Sequence, residues 1–138
     1  ELPVGTIIDA QVSSNFNWDF SSPKAWDHDL STCWSSASNN NEFITVNLGQ
    51  ILSSNSLSLI PREMSLGFPI DFSILASNDS QNFLHILDQH YGTQLPVVNC
   101  LFPNIVVAQY FRIVPVTYGQ DDHGTKLFQL AEIYLHTV

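Results

Sequence analysis

The sequence predicts an all-β domain, a sandwich or barrel of about eight short strands. Two observations carry this. Apolar residues alternate with polar ones over short stretches, the period of half-buried strands. Ser, Asn, Gly, Pro and Asp then cut those stretches at intervals too short for an amphipathic helix of several turns.

Taken in order, Ile44, Val46 and Leu48 alternate with Thr45 and Asn47 and stop at Gly49. Leu57 and Leu59 alternate with Ser56 and Ser58 before the breaker Pro61. Phe72 to Ala76, Phe83 to Leu87, Val97 to Phe102, Gln109 to Val116 and Leu127 to Leu135 are each rich in β-branched or aromatic residues, which favours strands. Ser35 to Asn41 is polar and short enough for a surface loop. No internal repeat or linker-like shift in composition divides the chain, so residues 1–138 are expected to form a single domain.

Composition narrows the function. With 138 residues, 44% of them hydrophobic and only 12% charged, the chain can bury a core and fold alone. Thirteen acidic side chains against four basic ones give a formal charge of −9, which repels phosphate backbones and excludes nucleic acid as an expected partner. No apolar run approaches the roughly 18 residues of a membrane helix, and Glu1-Leu2-Pro3 is not the basic start of a signal peptide; a soluble, mature or excised chain is expected. Cys33 and Cys100 allow at most one internal bridge and show no C-x-x-C spacing. There is no G-x-S-x-G, H-E-x-x-H or Gly-rich phosphate loop, and His85 and His90 lack a third metal ligand, so no catalysis is expected.

The stretch from Lys24 to Trp34 gathers hard oxygen donors, with Asp27, Asp29 and Thr32 on one turn-rich loop. Calcium takes about six to eight oxygen ligands, main-chain carbonyls included, so this loop could become a calcium site once a distant segment adds a carboxylate. The same residues also read as a hydrated Asx-turn loop.

Asp27-x-Asp29-x-x-Thr32-x-Trp34 resembles the DGDxxTxW signature of discoidin domains, also called F5/8 type C domains, a family that overlaps with the family 32 carbohydrate-binding modules. The resemblance continues in order. Phe43 to Gly49 is similar to the family's WvxVDLG strand, Ala76 to Phe83 to its xSxDGxxW hairpin, Tyr110 to Ile113 to its RYvRI strand, and Ala131-Glu132-Ile133 to its closing AEI. It implies a jelly-roll β-sandwich of antiparallel strands with recognition loops at one end. It also implies a structural calcium ion, held by Lys24, Asp27, Asp29, Thr32, Ala131 and Glu132, with Asp27, Thr32 and Glu132 ligating through their side chains. His28 stands where the family signature has Gly.

The resemblance further implies a noncatalytic, lectin-like module on a secreted or cell-surface protein that recognises a glycan, galactose-type or another. Sugar binding asks for an aromatic face and for fixed donors and acceptors. Trp18 and Phe20 lie in the first recognition loop, and Ser35 occupies the position of a common His. Arg62 belongs to a retained Pro-Arg pair, Phe68 closes the region of a common Asn, and Phe128 is near the last aromatic position; Tyr118 and His123 form another candidate rim. Bland alternatives stand beside these. Arg62 could pair with Glu63, one ring of Trp18 and Phe20 could plug the core, Phe128 could be strand core, and the Tyr118 segment could be a solvated turn. The alternative function is a protein-interaction or adhesion module using the same loops. Anionic-membrane binding ranks a distant third, because the basic surround it needs is missing. Asn78-Asp79-Ser80 matches an N-glycosylation sequon, too common by chance to establish secretion.

Overall fold

The computed structural model describes residues 4, 5, 7–16, 20, 22–26, 32–62, 68–90, 97–120, 124 and 126–138. In chain order they form β1 (Val4–Gly5), β2 (Asp9–Val12), a 3-10 turn (Ser22–Ala25), β3 (Trp34–Ser35), β4 (Ile44–Ile60), β5 (Asp71–Ser77) and β6 (Leu84–His90). There follow β7 (Val98–Thr117), β8 (Gly119–Gln120), β9 (Lys126–Leu127), β10 (Gln129–Leu130) and β11 (Glu132–Thr137).

Two long strands organise the rest. At about 3.3 Å per residue, straight strands of the lengths of β4 and β7, 17 and 20 residues, would overrun a domain of this size. They bend instead, and their mutual register shifts between Asn47 and Leu52 and again between Ser54 and Ser56. The first part of β4 pairs with β2, while the last part of β7 pairs with β5, which in turn pairs with β6. The later part of β4 pairs with β11, which carries β1 on its other edge. Every pairing is antiparallel, and the result is a jelly-roll β-sandwich whose two layers share β4 and β7.

Strand period fills the core. Along β5, Phe72, Ile74 and Ala76 point inward and are buried while Asp71, Ser73 and Leu75 are partly exposed. Trp34, Ile44, Leu57, Leu59, Phe111, Ile113, Phe128 and Ile133 complete a single cluster from both layers. Each fully buried large apolar side chain contributes about 1.5–3 kcal/mol relative to exposure. The β5–β6 hairpin is set by Asp79, whose Oδ1 accepts the N–H groups of Gln81 and Asn82, each at 2.9 Å. These bonds hold its carboxyl well below the usual carboxylate range.

Several boundaries differ from the sequence-based expectation. The segments at Ile44–Leu48 and Leu57–Leu59 are one strand, because Gly49 takes φ 77° inside it and bends β4 rather than ending it. A Cβ at Gly49 would also lie 2.9 Å from Ile8 Cδ1. Val97–Phe102 and Gln109–Val116 likewise join as β7. Pro103 falls within the register shift, between Leu101 and Val106, where no rung to β4 needs its missing N–H. Leu127 to Leu135 divides into β9, β10 and β11, and the short β2 was not anticipated. Both cysteines are free and buried, and burial pushes the Cys100 thiol up to about 12.

Candidate functional site

The signature Trp34 opens the site from below. Its ring is buried edge-on against Phe128, with centroids 4.9 Å apart, and its indole N–H donates to the Ser14 carbonyl at 3.1 Å. Trp34 and Ser35 form β3, paired with β10 through Leu130 and Gln129 respectively. The Phe16 N–H donates to the Ser35 carbonyl at 2.7 Å, which seats the loop after β2 directly on this floor.

Above the floor lie aromatic rings and one guanidinium. Phe16 is 51% exposed and meets Phe20 edge-to-face, with centroids 5.8 Å apart. The Arg62 guanidinium carbon stands 5.8 Å from the Phe20 ring centre, within cation–π range. Its Nη1 donates to Gln129 Oε1 at 3.0 Å. Gln129 is buried, and its Nε2 donates to Ser35 Oγ at 3.2 Å. Apolar ring surface and fixed polar groups therefore share one patch, the combination a sugar requires. The Arg62 charge also acts on Cys33, partly offsetting the upward push that burial gives its thiol.

A second buried group shapes the surrounding loops. Glu42 is 4% exposed, and its Oε1 accepts the hydroxyls of Ser13 at 2.6 Å and Ser14 at 2.5 Å. Its Oε2 accepts the hydroxyl of Ser38, and its own N–H donates to the Tyr118 hydroxyl at 2.9 Å. Ser13 and Ser14 in turn accept the N–H groups of Phe43 and Ala37. The carboxylate thus ties the loop after β2 to the loop before β4, and the backbone N–H of the same residue adds Tyr118, just past the end of β7.

The expected ligand residues separate into groups. Phe20 and Arg62 lie together, within cation–π range. Ser35, Phe68 and Phe128 are buried, the last two as core rings, so none presents a surface to a ligand. Phe128 alternates inward beside Leu130, and Phe68 packs edge-on against Phe72. Tyr118 packs partly against the core with its hydroxyl engaged by Glu42, and burial raises its pKa above the usual phenol value. Trp18 and His123 lie outside the described residues. Sequence reasoning missed Phe16, Glu42 and Gln129. The one signal available was the placement of a lone acid at the end of a Ser/Asn run just before a strand.

For the expected calcium ligands, Asp27 and Asp29 lie outside the described residues. Lys24 sits in the 3-10 turn, which lies against β2, β3 and β11. Glu132 opens β11 and is fully buried; Thr32 precedes Trp34 by two residues and Glu132 follows Leu130 by two, Trp34 and Leu130 being partners in the β3–β10 ladder. Ala131, directly before Glu132, is buried, its N–H donating to the Ile60 carbonyl at 2.9 Å. Among the described residues no three His, Cys, Asp or Glu side chains gather at metal-binding range. His85 and His90 sit on the exposed edge strand against Asp88 and Asp71, at 2.9 and 2.7 Å. A groove of about 430 Å³ lies between the β5–β6 hairpin and the middle of β7; among the described residues its lining shares none with the Arg62 patch and includes no Phe, Tyr or Trp.

Residues 9–132 match the family described as F5/8 type C domain. A search of curated proteins finds no match. Among solved structures, the chain is similar to the family 32 module of NanJ from C. perfringens, solved with galactose (TM-score 0.78, 20% identity, covering 92% of this chain and 91% of that one). It is also similar to CpGH89CBM32-5 from Clostridium perfringens, solved with GalNAc-beta-1,3-galactose (0.80, 20%, 93% and 94%). A third is chitosan-binding module 2 of a chitosanase/glucanase from Paenibacillus sp. IK-5, solved with chitotriose (0.80, 22%, 93% and 95%).

Proposed function

The chain belongs to the F5/8 type C domain family, and from that premise we propose that it is a noncatalytic carbohydrate-binding module whose ligand docks on the Phe16–Phe20–Arg62 patch. The observation that carries the proposal is the juxtaposition of an exposed ring with a guanidinium anchored from the interior, 5.8 Å from a second ring. Phenyl faces cover the C–H surface of a pyranose while the guanidinium donates to its hydroxyls. The similar structures carry galactose, a GalNAc-galactose disaccharide and chitotriose, which supports a glycan and leaves its identity to measurement.

A glycan array in calcium-containing buffer, with hits followed by calorimetry, tests this. Hits sharing a terminal sugar are expected, with both Arg62→Ala and Phe16→Ala weakening binding by about tenfold or more, equivalent to about 1.4 kcal/mol. Full affinity in both variants would reject the patch, and a blank array from folded, calcium-loaded protein would reject the carbohydrate reading.

We also propose a structural calcium ion that clips the Lys24–Thr32 loop to the start of β11. The donor set fits a hard cation: carbonyls of Lys24, Asp29 and Ala131, carboxylates of Asp27 and Glu132, and the Thr32 hydroxyl. Glu132 is fully buried, next in sequence to a buried Ala131, and its carboxylate oxygens are of the hard type that this ion prefers. Ion binding to the native state alone stabilises it by about 2.7 kcal/mol at a hundredfold excess over Kd. Excess EDTA is therefore expected to lower the melting temperature by several degrees, and elemental analysis to find about one calcium per chain. An unchanged midpoint in a metal-free sample counts against the ion.

A further inference from the structure

We propose that Gln129 is the positioning residue of the Arg62 patch, fixing the guanidinium from inside the fold through an amide whose own orientation Ser35 dictates. As a statement about ligand binding it rests on the carbohydrate reading above; as a statement about Arg62 it does not.

The argument follows the hydrogens. Ser35 is fully buried, and its Oγ donates to the Ser36 carbonyl at 3.1 Å. A hydroxyl has one proton, so towards Gln129 the same oxygen acts as acceptor. The amide must then turn Nε2 to Ser35 (3.2 Å) and Oε1 to Arg62 (3.0 Å). A flipped amide would set its N–H groups against a guanidinium that has only donors, and would leave Ser35 facing a carbonyl with its proton already committed. The Ser36 carbonyl at the head of the chain belongs to a residue that is itself pinned, because Ser36 Oγ accepts the Phe128 N–H at 2.9 Å and donates to the Ser38 carbonyl at 2.7 Å.

The directionality thus runs from backbone to surface: Ser36 carbonyl, Ser35 hydroxyl, Gln129 amide, Arg62 guanidinium. Arginine otherwise loses much rotamer freedom when it is immobilised on a ligand. Here one edge is held before any ligand arrives, the Phe20 ring flanks the group, and its remaining N–H groups are presented in a fixed plane. The sugar-facing donor is therefore preorganised by a residue that is only 3% exposed and need never touch the sugar.

The chain has two arginines, Arg62 and Arg112, so nitrogen-15 spectra of the guanidinium groups are readily assigned with an Arg62→Lys variant. In the wild-type full chain, the Arg62 signals are expected to be dispersed by the Phe20 ring and slowed in rotation by the Gln129 bond. Gln129→Leu should collapse them to the averaged position of a free side chain. Gln129→Glu, which keeps an acceptor at the same place, should retain them, and Ser35→Ala should weaken them. Backbone amide spectra report whether each variant is folded; if Gln129→Leu is not, Ser35→Ala and Gln129→Glu decide. Unchanged Arg62 signals in a folded Gln129→Leu or Ser35→Ala chain would overturn the proposal, as would their loss in folded Gln129→Glu. Titration with galactose and with chitotriose separates the two readings. Whichever sugar the wild type binds should bind about tenfold more weakly to Gln129→Leu, and equal affinity overturns the positioning role. Binding of neither sugar, with a blank array, counts against the carbohydrate reading while the spectra still decide the fate of Arg62.

Discussion

Replacing Glu42 with alanine is expected to lower stability by about 3 kcal/mol, a fall of about 10 °C in melting temperature for a domain of this size. Hydrogen bonds to a charged group contribute about 1.5–3 kcal/mol each, and Glu42 accepts three, from Ser13, Ser14 and Ser38. Removing the carboxylate also removes its own desolvation cost, which keeps the net loss well below the sum. The three hydroxyls it leaves come from two separate loops, so the damage should concentrate at the Phe16–Arg62 end. Glu42→Gln keeps the shape and part of the bonding and should lose about half as much. Thermal unfolding followed by near-ultraviolet circular dichroism measures both. A loss under about 0.5 kcal/mol for Glu42→Ala, the range of ordinary surface substitutions, would show that the two loops hold their places without it.

Arg112→Ala is the second large effect, expected at about 2–4 kcal/mol. The guanidinium carbon lies 4.1 Å from the centre of the Phe43 ring and 4.0 Å from that of Phe83, a cation held between two faces. Its Nε donates to Thr45 Oγ1 at 2.7 Å. Burial lowers its pKa, but an arginine so placed remains charged at any ordinary pH. The side chain joins β7 to the start of β4 and to the residue before β6, so truncation separates two rings at once. Arg112→Lys retains charge but neither the flat stacking surface nor the Nε donor, and should recover less than half of the loss. Urea unfolding with an unchanged m-value is the measurement; a lysine variant as stable as wild type would reduce the sandwich to a simple charge effect.

How much of this was legible in the sequence depends on the reach of the interaction. The alternation at Ile44, Val46 and Leu48 and at Leu57 and Leu59 records a local fact, that one face of a strand meets the core, and both segments are strand. That they are one strand depends on β7 pairing across the bend at Gly49, which no local pattern encodes. Arg62 and Phe20 are each legible as candidates because the family motifs index their positions, while their proximity is not. The sequence does not single out Phe16 and leaves Phe68 and Phe128 among the ligand candidates, the latter also readable as strand core, for a single reason: a phenylalanine has the same composition signal whether its ring faces water or core. Glu42 looked like one more loop acid because its partners Ser13 and Ser14 lie 28 and 29 residues away. Gln129 was hidden inside an apolar run that reads as strand core, which it is, apart from the amide that reaches Arg62.

The pairing of β1 with β11 has a mechanical consequence. Val4 lies opposite His136 and Gly5 opposite Leu135 in an antiparallel ladder, so the incoming and outgoing chain meet at the same end of two neighbouring strands. A force pulling the chain from both sides would load those rungs one at a time, as a zipper opens, rather than shearing them together. On the outgoing side the bond from the Val138 N–H to the Ser53 carbonyl is loaded with them, and behind it stands the ladder between β11 and β4. The domain would yield gradually from its margin, with the Arg62 patch, built on β3, β10 and the loop after β2, among the parts reached later.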